Sequence, residues 1–514
     1  MRKGILFTIV ATFAVTSFAA LPPADSDAVK VSANWNETVR VSETVPTTQL
    51  LASAYTLRSH PLNKPLLKAL RDLHTQDTRL QLWYSVTNQA VPELKAPTAT
   101  ETFWDFQKID PLVSDFYANT SGRHHVNIGT IPRWMFNVPD IEIPSDPGIS
   151  FYPYTKDTKG ELLKDPTGRQ FAEYQARIYR WYTQGGFKDE IGKYHKSGHH
   201  YRIDYWGVLN ESDFENKLNV EQYTKVYDAV VAAIHKIDPA VQFFGPEISG
   251  SEVPWASYFL NPKNHGVDAL PVKWFSFHNY PEATNDPDTW QEKFFTGPAK
   301  PTDGASAKVF ADRIREVIKI RDELSPETKL VIDELGTFDT IKHGEDVAQA
   351  QEPYSAYNPR YWVAIGANWA VNFITAESLG IRVIGVSQLL SYPTQCPSIA
   401  MVNWDTAHPN AHYWVLKLIH DNFAPGDRLV RTQSPSTDVV AQASITPSGR
   451  KVLLVNTSNR AVTVNLLNAF TGATHRAEVV DETSGEKPPR KESVTGLDMT
   501  LAPFAIAVVS QGAK

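Results

Sequence analysis

Between about residue 50 and residue 425 the chain alternates two hydrophobic periods. Short apolar runs appear at LLASAY (50–55), LQLWYSV (80–86), HHVNIGT (124–130), YWGVLN (205–210), VQFFGPE (241–247), KWFSFHNY (273–280), KLVIDELG (329–336) and RVIGVSQLL (382–390), and each reads as a strand. The segments between them repeat at helical spacing: Leu62, Leu66, Leu70 and Leu73 share one face, as do Phe171, Tyr174, Ile178 and Trp181, and Tyr223, Val226, Tyr227, Val230 and Ile234. Strands that alternate with helices pair in parallel through crossovers, and this many units predict an α/β fold, a closed (β/α)8 TIM barrel. An open doubly wound sheet fits less well, because no Gly-x-Gly-x-x-Gly follows any of the runs.

From about residue 425 the period drops to two. VVAQASIT, KVLLVNTS, AVTVNLL, THRAEVV and PFAIAVVS, separated by turn residues, predict an accessory antiparallel β-sandwich domain. VKVSANWNETVRVSET (29–44) has the same character and is expected to join it. The expected organisation is therefore a signal peptide over 1–20, an N-terminal segment over 21–48, a barrel over 49–424 and a sandwich over 425–514. The signal peptide is read from basic Arg2 and Lys3, an apolar run from Ile5 to Val15 and the small-x-small pattern Ser17-Phe18-Ala19, and it implies a secreted or periplasmic protein.

The 514 residues are too many for one ordinary core, in keeping with two domains. A net charge of −7 argues against nucleic acid or an anionic membrane as partner, since both require a basic surface. No later segment is long and apolar enough to span a bilayer. The single cysteine, Cys396, forbids an intrachain disulfide and reads as a lone thiol without an activating neighbour. The adjacent pairs His124-His125 and His199-His200 lack the i, i+4 spacing of a helical metal site, so no metal is expected.

The chemistry concentrates at strand ends. In YWGVLNES the apolar run passes straight into Asn210 and Glu211, and in KLVIDELG the run ends at Glu334. In a barrel of this kind, strand C-termini form the mouth where ligands bind. A lone strand-end glutamate reads more simply as a rim residue in a salt bridge. Two of them, at the fourth and seventh strands, are what glycosidic bond cleavage requires: one carboxyl to protonate the leaving oxygen, the other to attack the anomeric carbon or activate water. No Gly-x-Ser-x-Gly elbow points to a serine esterase instead.

On these residues the chain resembles clan A of the glycoside hydrolases, retaining enzymes on a (β/α)8 barrel. Barrel followed by sandwich, with TIPRWMF (130–136), SQLLSYPTQCPS (387–398) and NWDTAHPNAHYWVLKLI (403–419), looks most like family 39, which includes β-xylosidases. The resemblance implies Glu211 as acid/base, Glu334 as nucleophile, Asn210 as a contact of the sugar 2-hydroxyl, and His278 and Tyr280 beside the nucleophile, without a cofactor. Ser212 departs from the proline common after the acid/base in that clan.

Other candidates carry a plainer reading beside the functional one. Glu247 ends the fifth run as a substrate contact or a second buried acid. Trp83 and Trp134 suit sugar stacking or core packing, Trp404 is placed for an aromatic platform, and Gln388 is placed for ligand contact. Asp333, next to Glu334, is expected to point away from the barrel interior by strand alternation. The long stretch 131–204 favours a walled cleft and exo action on an oligosaccharide or polysaccharide. The alternatives are an endo-acting glycanase and a catalytically silent carbohydrate-binding protein.

Overall fold

The computed structural model describes residues 28–250, 252–298, 304–339, 353–390, 399–470 and 474–511. The signal peptide, Cys396 and residues 391–398 of the family-like segment 387–398 lie outside the described residues.

The barrel strands are β1 (Val45–Leu51), β2 (Asp77–Leu82), β3 (Arg123–Ile128), β4 (Tyr205–Gly207), β5 (Gln242–Phe244 continuing as Pro246–Ile248), β6 (Trp274–Asn279), β7 (Lys329–Leu335) and β8 (Val383–Val386). Each pairs in parallel with its sequence neighbours, and β8 pairs with β1. β5 closes the ring, its first part on β4 and its second on β6. The interrupted β5 contains a cis Gly245–Pro246 bond. Helices follow the strands in turn: α1 (Asn63–Leu73), α2 (Asp110–Asn119), α3 (Arg169–Thr183), α4 (Val220–His235), α5 (Glu252–Phe259), α6 (Ala307–Leu324), α7 (Pro359–Leu379) and α8 (Ala411–Asn422).

The predicted runs overlap the strands, but the second, LQLWYSV (80–86), meets β2 only at 80–82, and the first strand lies ahead of LLASAY at Val45–Leu51. Thr47, Thr48 and Gln49 are buried in this strand, so its polar letters hide a core position. The floor of the barrel is apolar, formed by Tyr205, Phe244, Trp274, Val331 and Val383. Above it the interior turns polar, as developed below.

The second unit is a nine-stranded sheet with its own core, including Val31, Val430, Val464 and Val509. Its strand Val29–Val41 pairs antiparallel with Arg428–Gln433 and parallel with Val462–Asn468, so the sheet is mixed rather than wholly antiparallel. A single apolar cluster runs from the barrel helices into Leu453, Val455, Val480, Phe504 and Ile506 of this unit. Arg360 on α7 ties the same seam, donating to Glu482 at 2.7 Å and Asn459 at 2.8 Å. No helix among the described residues is long and apolar enough to cross a membrane.

Candidate active site

The Asn210-Glu211 pair follows β4 on a turn rather than on strand. Leu209 and Glu211 have φ of 64° and 39°, a left-handed region that costs ordinary residues on the order of 1–2 kcal/mol and is held only where surroundings over-determine it. Here the Glu211 amide donates to the Glu247 carbonyl at 2.8 Å, and Phe214 and Glu215 donate back to the Glu211 carbonyl. The chain then enters α4 through a capping box made by Asn219 and Gln222. This turn directs both Asn210 and Glu211 toward the ring of residues at the strand ends.

Glu334 reaches the same place by a different device. Ser276 faces Val331, but His278 faces Glu334, so β7 holds one residue more than β6 over this span. Such a bulge breaks the two-residue alternation. The expectation that Asp333 points outward is therefore corrected: it is buried, 3.4 Å from His278 Nε2 and 3.7 Å from Arg79 Nε. Neighbouring β8 accommodates the bulge with Gly385, where a Cβ would sit 2.5 Å from the Asp333 carbonyl oxygen.

At the centre lies Arg79 of β2, buried and absent from the residues singled out by sequence. One guanidinium nitrogen donates to Glu334, Gln49 and Gln81, and the other to Glu247 and, at 2.7 Å, to the Asn210 oxygen. Tyr280 donates to the other oxygen of Glu334, and its hydroxyl is 2.6 Å from Ser387 Oγ. His278 Nδ1 lies 2.8 Å from Glu211 and 3.5 Å from Glu334. Oxygens of Glu211 and Glu334 approach within 4.8 Å.

These surroundings pull the two carboxyls apart. Burial dominates at Glu211 and, with the nearby Glu334 charge, holds its carboxyl above the usual range despite the His278 hydrogen bond. Burial pushes Glu334 up as well, but His278, Arg79 and the Tyr280 hydroxyl outweigh it and leave Glu334 below the usual range. His278 is held well above the ordinary imidazole range: burial opposes its charge, and Glu334 and Asp333 override burial. The surroundings thus shift the two carboxyls in opposite directions, Glu211 toward its protonated form and Glu334 toward its ionised form.

Glu247 lies beneath this pair as a second buried acid. It takes hydrogen bonds from Arg79 and Asn127 and lies 3.2 Å from His125 Nε2. A Cβ at Gly207 would come within 2.3 Å of Glu247 Oε1, 2.5 Å of Asn127 Nδ2 and 2.8 Å of His125 Nε2. Gly207→Ala is accordingly expected to cost about 1–3 kcal/mol through overpacking, measured as a lower urea midpoint at unchanged slope.

Two trios, His125–Glu247–Asp333 and Glu211–His278–Glu334, bring metal-ligand atoms within 4.8 Å of one another. Arg79 and His278 already place positive charge against these carboxylates, so a cation would meet repulsion in both trios. The adjacent histidine pairs diverge: His124 turns out to Thr120 at 3.0 Å while His125 turns in, and His199 pairs with Asp110.

Of the aromatic candidates, Trp83 is half-buried at the end of β2 and donates to Glu215 at 2.9 Å. Gln388 is buried just after Ser387, beyond the end of β8. Trp134 takes the core-packing reading and offers no sugar-stacking face, its buried indole donating to the Glu93 carbonyl at 2.8 Å. One expectation is corrected. Trp404 is not an open platform, because Tyr354, Tyr357 and Trp362 pack around it. Besides Arg79, sequence reading passed over Asn127, Glu215 and Ser387. For Arg79 the signal was a cation at an inward position of a buried strand, which demands carboxylate partners.

Fold and strand-end residues together define an eight-stranded α/β barrel with an attached sheet domain, and comparison with known proteins bears on that architecture. The chain resembles a glucosidase from Croceicoccus marinus at 12% identity and a TM-score of 0.58, over 95% of this chain and 100% of that one. It also resembles the GH51 α-L-arabinofuranosidase of Thermotoga petrophila, with 13% identity, a TM-score of 0.59 and 94% and 100% coverage. A GH30 endoxylanase from Clostridium papyrosolvens aligns at 13% identity and a TM-score of 0.53, with 94% and 100% coverage. These likenesses show a shared fold. Residues 436–509 match the C-terminal immunoglobulin-like domain of D-apionate lactonase. No curated protein matches the chain by sequence.

Proposed function

We propose that the protein is an exported, exo-acting retaining β-glycosidase of oligosaccharides or polysaccharides. The observation that carries this reading is the pair Glu211 and Glu334 at the barrel mouth, within 4.8 Å of each other and shifted in opposite directions by their surroundings. Retaining enzymes set their carboxyls about 5–5.5 Å apart and inverting ones about 6.5–9.5 Å, so the spacing favours direct attack over an interposed water.

In the first step a Glu334 oxygen attacks the anomeric carbon as the bond to the leaving oxygen breaks, and the Glu211 proton passes to that oxygen. In the second, water attacks the same carbon, its proton returns to Glu211, and Glu334 leaves as a carboxylate. Arg79 and Tyr280 occupy both oxygens of Glu334, keeping it ionised and oriented between turnovers.

The test incubates purified protein, with a Glu334→Ala control, with aryl glycosides, plant and microbial polysaccharides and aldonolactones. Release of single sugars by the wild type alone supports the reading, oligosaccharide products favour endo action, and lactone opening alone favours a lactonase, whose domain residues 436–509 resemble. Binding without release favours a silent binder.

The pH profile of kcat/KM is expected to be a bell. Activity needs Glu334 ionised, so the acid limb lies below the usual carboxylate range. It also needs Glu211 protonated, so activity falls as pH rises through a value above that range. Glu211→Gln is expected to abolish the alkaline limb for aryl glycosides with good leaving groups.

A further inference from the structure

A third carboxyl enters the site at Glu215, four residues after Glu211. Its Oε1 accepts from Asn210 Nδ2 at 2.8 Å and from the Trp83 indole at 2.9 Å. Its Oε2 is buried, with no hydrogen-bond partner among the described residues. A buried polar atom of this kind costs on the order of 1–3 kcal/mol unless something satisfies it. The Asn210 amide is thus shared: Arg79 takes its oxygen, and Glu215 takes one of its two N–H groups.

We infer that Glu215 is a substrate-binding residue whose Oε2 takes the hydroxyl next to the anomeric carbon, so that the enzyme selects sugars bearing a hydrogen-bonding group at that position. This rests on the glycosidase reading and on Asn210 as a contact of that hydroxyl. A hydroxyl placed against Asn210 stands beside the Glu215 carboxyl, because the two side chains are one hydrogen bond apart. Burial, reinforced by the neighbouring Glu211 charge, holds the Glu215 carboxyl well above the usual range, and the bonds from Asn210 and Trp83 do not offset it. With Oε1 taking two donors, Oε2 is the oxygen left to carry the proton that burial favours and to give it to the sugar oxygen. The half-buried Trp83, fixed by the same carboxyl, flanks that hydroxyl.

The test compares an aryl glycoside cleaved by the wild type with its 2-deoxy counterpart, for wild type, Glu215→Ala and Glu215→Gln. The hydroxyl-to-deoxy ratio of kcat/KM cancels intrinsic reactivity. It is expected to drop about 10- to 100-fold in Glu215→Ala, and to stay within about threefold of wild type in Glu215→Gln, whose amide donates in place of the acid. An unchanged ratio in Glu215→Ala, whatever loss both substrates share, would overturn the inference and leave Glu215 a support for Trp83 and Asn210. An equal drop in Glu215→Gln would overturn the donor role. If Glu215→Ala does not fold, Glu215→Asp, which withdraws the carboxyl by one methylene, gives the same comparison. Absence of turnover by the wild type on every glycoside would overturn the glycosidase reading itself, and this role with it.

Discussion

Glu334→Ala is expected to lower kcat/KM by about four to six orders of magnitude, or roughly 5–8 kcal/mol of transition-state stabilisation. The loss is large because the remaining groups serve a nucleophile that is no longer there. Arg79 and Tyr280 would face a methyl group, and Glu211 would hold a proton for a bond that does not break. The cavity left behind admits a small anion beside Arg79. Added azide is therefore expected to restore part of the turnover and to give a glycosyl azide of inverted configuration, a single displacement replacing two. Proton NMR of the product decides it. An azide product of retained configuration would assign the nucleophile to another residue.

Arg79→Met is expected to have the largest effect on stability. The side chain is removed from contact with Glu334, Glu247, Asn210 and Asp333 at once. Breaking a buried pair by removing one partner typically costs about 3–5 kcal/mol, because the other charge stays buried without compensation. Glu334 has a depressed carboxyl in the folded state, so its contribution is present above its unfolded pKa and lost as pH falls through the folded one. Without Arg79 that depression shrinks. The deficit of the variant should thus be widest near neutral pH and narrow as the carboxyls protonate, and its acid limb of activity should move to higher pH. Urea denaturation across pH and the pH–rate profile measure the two effects separately. Arg79→Lys should recover little, since one ammonium lacks the forked donors that serve Glu334 and Glu247 together.

How far this site can be read from sequence depends on which physical rule sets each residue. The strands at YWGVLN and KLVIDELG are legible because apolar runs of strand length have few alternatives. Glu211 and Glu334 are legible because a carboxylate that ends such a run needs a reason. Asp333 escapes because a bulge is a matter of pairing register, set by β6 and β8 and not by the local letters. Val45–Leu51 escapes because polar residues that line a barrel interior mimic a loop. Trp404 misleads because an aromatic beyond a strand end looks the same whether it awaits a sugar or packs under Tyr354 and Trp362. Arg79 needs carboxylate partners from distant strands, and only the closed ring brings β5 and β7 to its place on β2.

The strand Val29–Val41 has a consequence for how the chain is made. It is synthesised before any barrel strand, yet its partners, Arg428–Gln433 and Val462–Asn468, emerge only after the whole barrel. Until then it is an unpaired edge, the kind of surface that invites strand addition from another chain. Pairing so distant in sequence is slow to form. Closing the sheet is thus a late event in biogenesis, and it clasps the two ends of the polypeptide together over a finished barrel.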